Sequence, residues 1–473
     1  MKTTEIKELL NLLDNSLSII DNEANIIDKT TLQKKIYKLA EVAALETGVR
    51  KGTAQYIIRL AALAFGAIPS SIHELYLARG RGEIPFTFTV PAINLRMLTF
   101  DSACAVFRVA KSMNAAAFIF EIARSEMGYT DQRPAEYVSS ILAAAITEDY
   151  TGPIFFQGDH FQVSAKRYIS AADAELQSVR DLTNEAIASG FFNIDIDTST
   201  LVDISKPSVP EQQTLNFHLT AMYSAYIRSL QPKGIEISIG GEIGEVGGHN
   251  STEEELRAFM DGYKAEMAKG APGALGLSKI SVQTGTSHGG VVLPDGSIAK
   301  VNVDFGTLLK LSRVARSAYG MGGTVQHGAS TLPENAFGKF VESEAVEVHL
   351  ATNFQNMIYD RLPADLKTEM YAYLDKNSIS ERKPEMTDEQ FYYKTRKNAI
   401  GPFKAKTWKI SAEKKNEISQ ALEEQFRKLF VYLGNQGTRI YIEKTIKPLK
   451  IKPNPKFYLG EVAGEEDVSD LAD

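Results

Sequence analysis

The hydrophobic pattern changes rhythm near residue 82. Before it, Leu9, Leu10, Leu12, Leu13, Leu17 and Ile20 recur close to helical spacing, and AQYIIRLAALAF extends the theme, which predicts helices. The glycine-bearing segment ARGRGE (78–83) interrupts. Beyond it, short runs of β-branched and aromatic residues alternate with longer helix-like stretches. The runs are FTFTVPAI (86–93), AAFIFEI (116–122), PIFFQGD (153–159), FFNIDID (191–197), IEISIGG (235–241), KISVQTG (279–285), GTVQH (323–327) and VEVHL (346–350). Strands covered on both faces read as near-continuous apolar runs, as these do.

Eight β-then-α units in succession predict an α/β fold, a closed (β/α)8 TIM barrel and not an open doubly wound sheet. No GxGxxG follows any of the runs, which speaks against dinucleotide binding. After about residue 356 the chain turns polar and helical, with EKKNEISQALEEQFRKLFVYL (413–433) its clearest amphipathic stretch. KPLKIKPNPKF (447–457) reads as extended and GEEDVSDLAD as an acidic tail. The expected organisation is a helical N-terminal extension (1–82), a barrel domain (83–360) and a helical C-terminal extension (361–473).

Composition narrows the function classes. The 473 residues are 44% hydrophobic and 23% charged, as in a soluble globular protein. A net charge of −7 argues against nucleic acid or an anionic membrane as the main partner. Cys104 is the only cysteine, so an intrachain disulfide and a multi-thiolate metal site are excluded. The opening MKTTEIKELLNLLD lacks the apolar core of a signal peptide. No stretch approaches the roughly 20 apolar residues of a membrane helix. The expected location is the cytoplasm.

Barrels of this kind carry their chemistry where strands end and βα loops begin. Those ends hold Asp159 and His160 after the third run, Asp197 at the fourth, Glu242 after the fifth, His288 after the sixth and His327 at the seventh. Three of the chain's seven histidines thus fall at three separate strand ends. Imidazoles gathered by a closed barrel suit a zinc-type site that keeps an open coordination position. Asp197 and Glu242 are placed to ligate the cation in another state or to orient the imidazoles. Each residue alone has a plainer reading as a hydrogen-bonded or solvated loop group; the ordered set favours a metal. His73 and His218 lie on helical stretches and read as structural.

With those motifs in hand, the chain resembles the class II, zinc-dependent fructose-bisphosphate and related ketose-bisphosphate aldolases, as a divergent member with N- and C-terminal extensions. VPAIN (90–94) looks like the family's first-strand PAFN, QGDHF its LDH, GEIGEVGG (241–248) its AEIGxxGG, TSHGG its HG motif, and VQHGAS its VLHGGS. VNVDFGTLLKLSRVA (301–315) is similar to the segment before the seventh strand. The resemblance implies that His160, His288 and His327 ligate zinc, one ion per chain, with room for a monovalent cation. It implies Asp159 as the acid/base at the aldol hydroxyl, and Asp197 and Glu242 as acids near the metal. Gly289, Gly328 and Ser330 match the phosphate cradle and Asn94 a residue facing substrate.

The implied reaction is reversible cleavage of a phosphorylated ketose to dihydroxyacetone phosphate and an aldehyde, as in glycolysis and related carbohydrate metabolism. Fructose 1,6-bisphosphate is the first candidate. A divalent cation stabilises the enediolate charge as it forms, and Asp159 moves the hydroxyl proton.

The departures concern substrate contacts. The family's NIDTDTQ-like eighth strand is here VHLATNFQ (348–355), with His349 and Ala351 where the family has Asn and Asp, while Thr352 and Gln355 remain. The loop after the fifth strand reads GGHNSTEEE (247–255), which leaves His249 or Glu245 to replace the family's carboxylate. Ser251 or Thr252 reads as the cap of a helix there. EIARSEMGYTDQRPAEY (121–137) is similar to the accessory subunits of tagatose-bisphosphate aldolases; Arg124 reads either as an anion ligand or as a salt-bridge partner. YKTRKNAIGPF (393–403) echoes a segment whose arginine, here Arg396, reaches the distal phosphate in a neighbouring subunit, which implies a homodimer or homotetramer. Tagatose 1,6-bisphosphate and a non-catalytic barrel subunit are the alternatives these departures keep open.

Overall fold

The computed structural model describes residues 3–243, 249–285, 303–330 and 332–459. The N-terminal segment is mainly helical, but it also holds an antiparallel hairpin, β1 (Leu17–Ile20) and β2 (Glu23–Ile26), and a short strand, β3 (Ala67–Ser70). Eight further strands each overlap one of the runs picked from the sequence. They are β4 (Val90–Asn94), β5 (Ile119–Ala123), β6 (Gly152–Gln162), β7 (Asn193–Asp197), β8 (Ser238–Glu242), β9 (Lys279–Val282), β10 (Thr324–Gln326) and β11 (Glu347–Leu350). Each pairs in parallel with the next, and β11 pairs with β4, so the sheet closes into a barrel. A helix follows every strand, from Thr99–Ser112 after β4 to Thr352–Arg361 after β11. This is a (β/α)8 barrel with helical N- and C-terminal segments. No helix among the described residues is long and apolar enough to cross a membrane.

Both extra segments brace the barrel's lower end. β3 pairs with the beginning of β6, and the Asn193 side chain locks it there, accepting from Ile72 N at 2.8 Å and donating to Phe156 O at 2.9 Å. The helix His73–Gly80 then crosses beneath the strands and sends Tyr76 into the interior, where its hydroxyl donates to Glu347. At the other end of the chain, helix Ala412–Tyr432 lies along Thr99–Ser112, tied by Arg108–Glu423 at 2.7 Å and Lys415–Asp101 at 3.2 Å. Past it, Thr89 N donates to Leu433 O at 2.9 Å, securing the start of β4.

Branched apolar side chains usually fill such a barrel. Here one interior layer is ionic. Glu121, Asp195, Lys279 and Glu347 come from β5, β7, β9 and β11, alternate strands of the eight, and all are buried. Lys279 Nζ donates to Asp195 at 2.8 Å, Glu347 at 2.5 Å and Gln157 at 2.7 Å. Gly240 leaves the space: a Cβ there would stand 2.4 Å from Asp195 Oδ1 and 3.0 Å from Lys279 Cε.

Two outcomes follow for stability. Lys279→Met removes the one lysine of this layer and leaves carboxylates buried without it, an expected loss of about 3–5 kcal/mol in urea denaturation; a loss below about 1 kcal/mol would contradict this packing. His73 is 3% exposed, neither ring nitrogen closes a hydrogen bond, and burial followed by the Arg228 charge pushes its pKa down to about 3. The folded state therefore binds fewer protons than the unfolded one between that value and the ordinary histidine range. Its contribution, up to about 5 kcal/mol, is present above pH ~6.5 and lost as pH falls toward 3. Urea midpoints of a His73→Leu variant should be flatter over that window; an unchanged slope would contradict it.

Candidate active site

Along a regular strand Asp159 and His160 would face opposite sides. They do not, because β6 bulges. Its register against β7 shifts between Gly158 and Phe161, so Asp159 and His160 together oppose the single residue Asp195. His160 has φ of 39°, in the left-handed region that few non-glycine residues adopt. Gly158 makes the turn possible, since a Cβ there would lie 2.3 Å from the Phe161 ring. Both side chains consequently point into the barrel mouth, 6% and 7% exposed.

There His160 meets His327 from the end of β10, with Nε2 of the first 3.0 Å from Nδ1 of the second. Each ring is held from behind. His160 Nδ1 lies 3.2 Å from Asp197 Oδ2, and Asp197 is itself fixed by Gln162 Nε2 (2.6 Å) and Ser199 Oγ (2.7 Å). His327 Nε2 lies 2.9 Å from Ser281 Oγ and 3.4 Å from Glu242 Oε2. Imidazoles whose outer nitrogens are tied to oxygen acceptors present their inner lone pairs to a cation. Two ligands of a tetrahedral ion at 2.0–2.1 Å stand about 3.3 Å apart, close to the observed pair. Asp159 Oδ1 is 3.9 Å from His160 Nε2 and 4.0 Å from His327 Nδ1. The donor set of imidazoles and carboxylates fits a divalent metal.

The ionic layer continues beneath. His349 Nε2 is 2.6 Å from Glu347 Oε1, while its Nδ1 is 3.0 Å from Glu121 Oε2 and 3.2 Å from Asp159 Oδ1. Burial raises the Asp159 pKa, but the His160 and His349 rings outweigh it and hold the carboxyl well below the usual range. Burial opposes charge on His160 and His349, yet the facing carboxylates, Asp159 and Glu121 foremost, push both well up. Glu121, more desolvated than compensated, is raised to about 8, and burial raises Asp195 to about 6. Burial also opposes charge on Glu347, but Lys279 and His349 bring it down to about 2.

Of the residues singled out in the sequence, Asp159, His160, His327, Asp197, Glu242 and His349 are brought together. His288 and Gly289, like Glu245, lie outside the described residues. Gly328 has φ of 67°, and Ser330 Oγ accepts from Ala351 N at 2.6 Å, joining the ends of β10 and β11. Thr352 opens the helix after β11. Asn94 is 1% exposed, and its amide donates to Glu126, which also pairs with Arg96. Arg396 is enclosed by its own chain: it donates to Asn356 Oδ1 and lies over Tyr393, 4.2 Å to the ring centre. Arg124 is a buried salt-bridge partner, 2.7 Å from Glu175. His249 Nε2 is 3.0 Å from Glu255, whose carboxylate also accepts from Thr252 N in the cap of helix Glu253–Gly270.

Sequence reasoning missed Glu121, Gln157, Asp195, Lys279 and Glu347. The signal was present. Gln157, Asp195 and Glu347 each precede a chosen residue by two positions (Asp159, Asp197, His349), and residues two apart on a strand share a face.

The sequence profile of the class II fructose-bisphosphate aldolases matches residues 86–429. No curated protein matches the chain. Among solved structures, a probable tagatose 6-phosphate kinase from Sinorhizobium meliloti is similar in fold, with 15% identity and a TM-score of 0.51 over 78% of this chain and 97% of that one. The YdjI aldolase from Escherichia coli K12 has 12% identity and a TM-score of 0.47, covering 78% and 99%. The fructose-bisphosphate aldolase of Campylobacter jejuni has 16% and 0.47, covering 79% and 97%. With the profile spanning most of its length, this chain belongs to the class II fructose-bisphosphate aldolase family.

Proposed function

We propose that the chain is a zinc-dependent aldolase that reversibly cleaves a phosphorylated ketose to dihydroxyacetone phosphate and an aldehyde. One observation carries the reading: the β6 bulge sets the Asp159 carboxylate beside two imidazole nitrogens 3.0 Å apart. His160 and His327 would hold the metal, with His288 as the third ligand expected from the family. Bound there, zinc supplies Lewis-acid stabilisation of the negative charge that develops on the ketose-derived fragment. Asp159 takes the proton from the C4 hydroxyl during cleavage and returns it during condensation. Asp197 and Glu242 keep the imidazoles turned inward. Backbone N–H groups of the loop at Gly328 suit a phosphate, which approaches closely where side chains are missing, and Gly289 is the second cradle residue expected from the family. The active form is read as a cytoplasmic homodimer or homotetramer.

Fructose 1,6-bisphosphate is the first substrate to test. A different ketose, tagatose 1,6-bisphosphate among them, is favoured as the second reading by the end of β11. There His349 is engaged by Glu347 and Glu121 where the family presents Asn to substrate.

The test is a screen of ketose mono- and bisphosphates for cleavage, with zinc added and with chelator. The expected result is at least one zinc per chain and cleavage that the chelator abolishes. Asp159→Ala should retain zinc yet lower cleavage roughly 10²–10⁴-fold. A chain that binds no zinc and cleaves nothing would support the non-catalytic subunit instead. An unaltered rate in the variant would remove Asp159 from the chemistry.

A further inference from the structure

The C-terminal segment returns to the barrel beside the ends of β4 and β5. Gly401 N donates to Tyr129 O at 2.9 Å, and a Cβ on Gly401 would stand 2.8 Å from the same oxygen, so the two backbones pack directly. Lys404 Nζ anchors the next turn, 2.8 Å from Asp131 and 3.1 Å from Glu136. Just before it, Arg396–Ala399 form a short 3-10 turn, in which neighbouring side chains point about 120° apart. Arg396 turns to Asn356 and Tyr393. Lys397 therefore turns elsewhere, and its Nζ lies 5.5 Å from the centre of the Tyr129 ring.

Arg96 approaches the same ring. It follows β4 by two residues, and its guanidinium carbon is 5.9 Å from the Tyr129 ring centre. Glu126 Oε1 takes Nε at 2.8 Å and Nη2 at 2.5 Å, and Gln355 Oε1 takes Nη1 at 3.2 Å. A guanidinium has five N–H donors, so each terminal nitrogen keeps a second hydrogen. Tyr129 Oη is buried, closes no hydrogen bond and feels the Arg96 charge. Lys397 and the rest of Tyr129 are half-buried. Burial, then the Arg96 charge, push Lys397 down to about 8; Glu381 and Glu126 oppose this, and Lys394 adds to it. Repulsion between neighbouring cations is what a bound dianion removes.

We propose that Arg96, Lys397 and Tyr129 Oη form a same-chain subsite for a phosphate on the aldehyde half of the ketose. The position suits that half. Arg96 lies near enough to Asp159 for the carboxylate to stabilise its charge, and Asp159 acts at the C4 hydroxyl in the proposed reaction. The subsite stands at the ends of β4 and β5, whereas Gly328, past the end of β10, is separated from it by β11. The two ends of a bisphosphate thus have separate holders. Two cations and a hydroxyl match a phosphate dianion, whose oxygens accept several charge-assisted bonds at once. Lys397 of the same chain takes the part expected of Arg396 from a neighbouring subunit. The inference rests on the aldolase reading for the molecule that carries the phosphate.

Two measurements test it. In the first, zinc-loaded full-length protein condenses dihydroxyacetone phosphate with D-glyceraldehyde 3-phosphate or with D-glyceraldehyde. Lys397→Met should raise KM for the phosphorylated aldehyde about 10–100-fold, the loss of a charge-assisted bond. KM for glyceraldehyde should stay near its wild-type value, and Lys397→Arg should recover most of the loss. Equal effects on both aldehydes, or none on either, would overturn the subsite. The second measurement needs no turnover and no variant. Wild-type protein is acetylated at mildly alkaline pH in glycerol 3-phosphate or in glycerol at equal ionic strength, and peptide mass spectrometry follows each lysine. Glycerol 3-phosphate should slow the labelling of Lys397 severalfold and leave exposed lysines unchanged. A chain that shows this protection but condenses neither aldehyde loses the aldolase reading and keeps the anion subsite. Labelling of Lys397 that glycerol 3-phosphate does not slow overturns the subsite, whatever the turnover.

Discussion

The bulge in β6 is the constraint on which the site depends. Consecutive strand residues alternate faces, so an acid and an imidazole at neighbouring positions cannot normally reach one cation. Inserting a residue against β7 and holding His160 at a positive φ overrides the alternation. Such backbone strain costs about 1–3 kcal/mol and persists only where its surroundings enforce it. Here they do. Phe161 packs against the bare Cα of Gly158, Asp197 grips the imidazole, and β5 and β7 clamp the strand from both sides.

Charge is the second constraint, and it links the mouth to the floor of the barrel. Tyr76 bonds Glu347, Glu347 bonds Lys279 and His349, and His349 faces Asp159. The acids outnumber the bases along this line, and burial makes every unbalanced charge expensive. For the protein's own groups alone, protons restore the balance: Glu121 is raised to about 8 and the imidazoles are pushed up. Divalent cations would do the same while displacing those protons. The charged interior of the barrel thus lies directly beneath the proposed metal site.

Much of this was legible from the chain. Each strand of the barrel overlaps a run recognised by its apolar continuity, because parallel strands covered on both faces leave that signature. His160 and His327 were legible as strand-end imidazoles in a fold that works at its strand ends. The ionic layer was not picked out, since Glu121, Lys279 and Glu347 each look like a lone polar interruption until closure brings β5, β9 and β11 around one axis. The hairpin β1–β2 and the strand β3 escaped because four-residue strands carry too few positions to show a period. The sequence left Arg124 between two roles; only the buried contact with Glu175 separates them.

The claim that the bulge builds a metal centre is tested most directly by crystals of the zinc-loaded chain, with anomalous difference maps recorded on both sides of the zinc edge. A peak about 2.0–2.1 Å from both His160 Nε2 and His327 Nδ1 is the predicted result. Rings turned apart, or zinc found only elsewhere on the molecule, would contradict it.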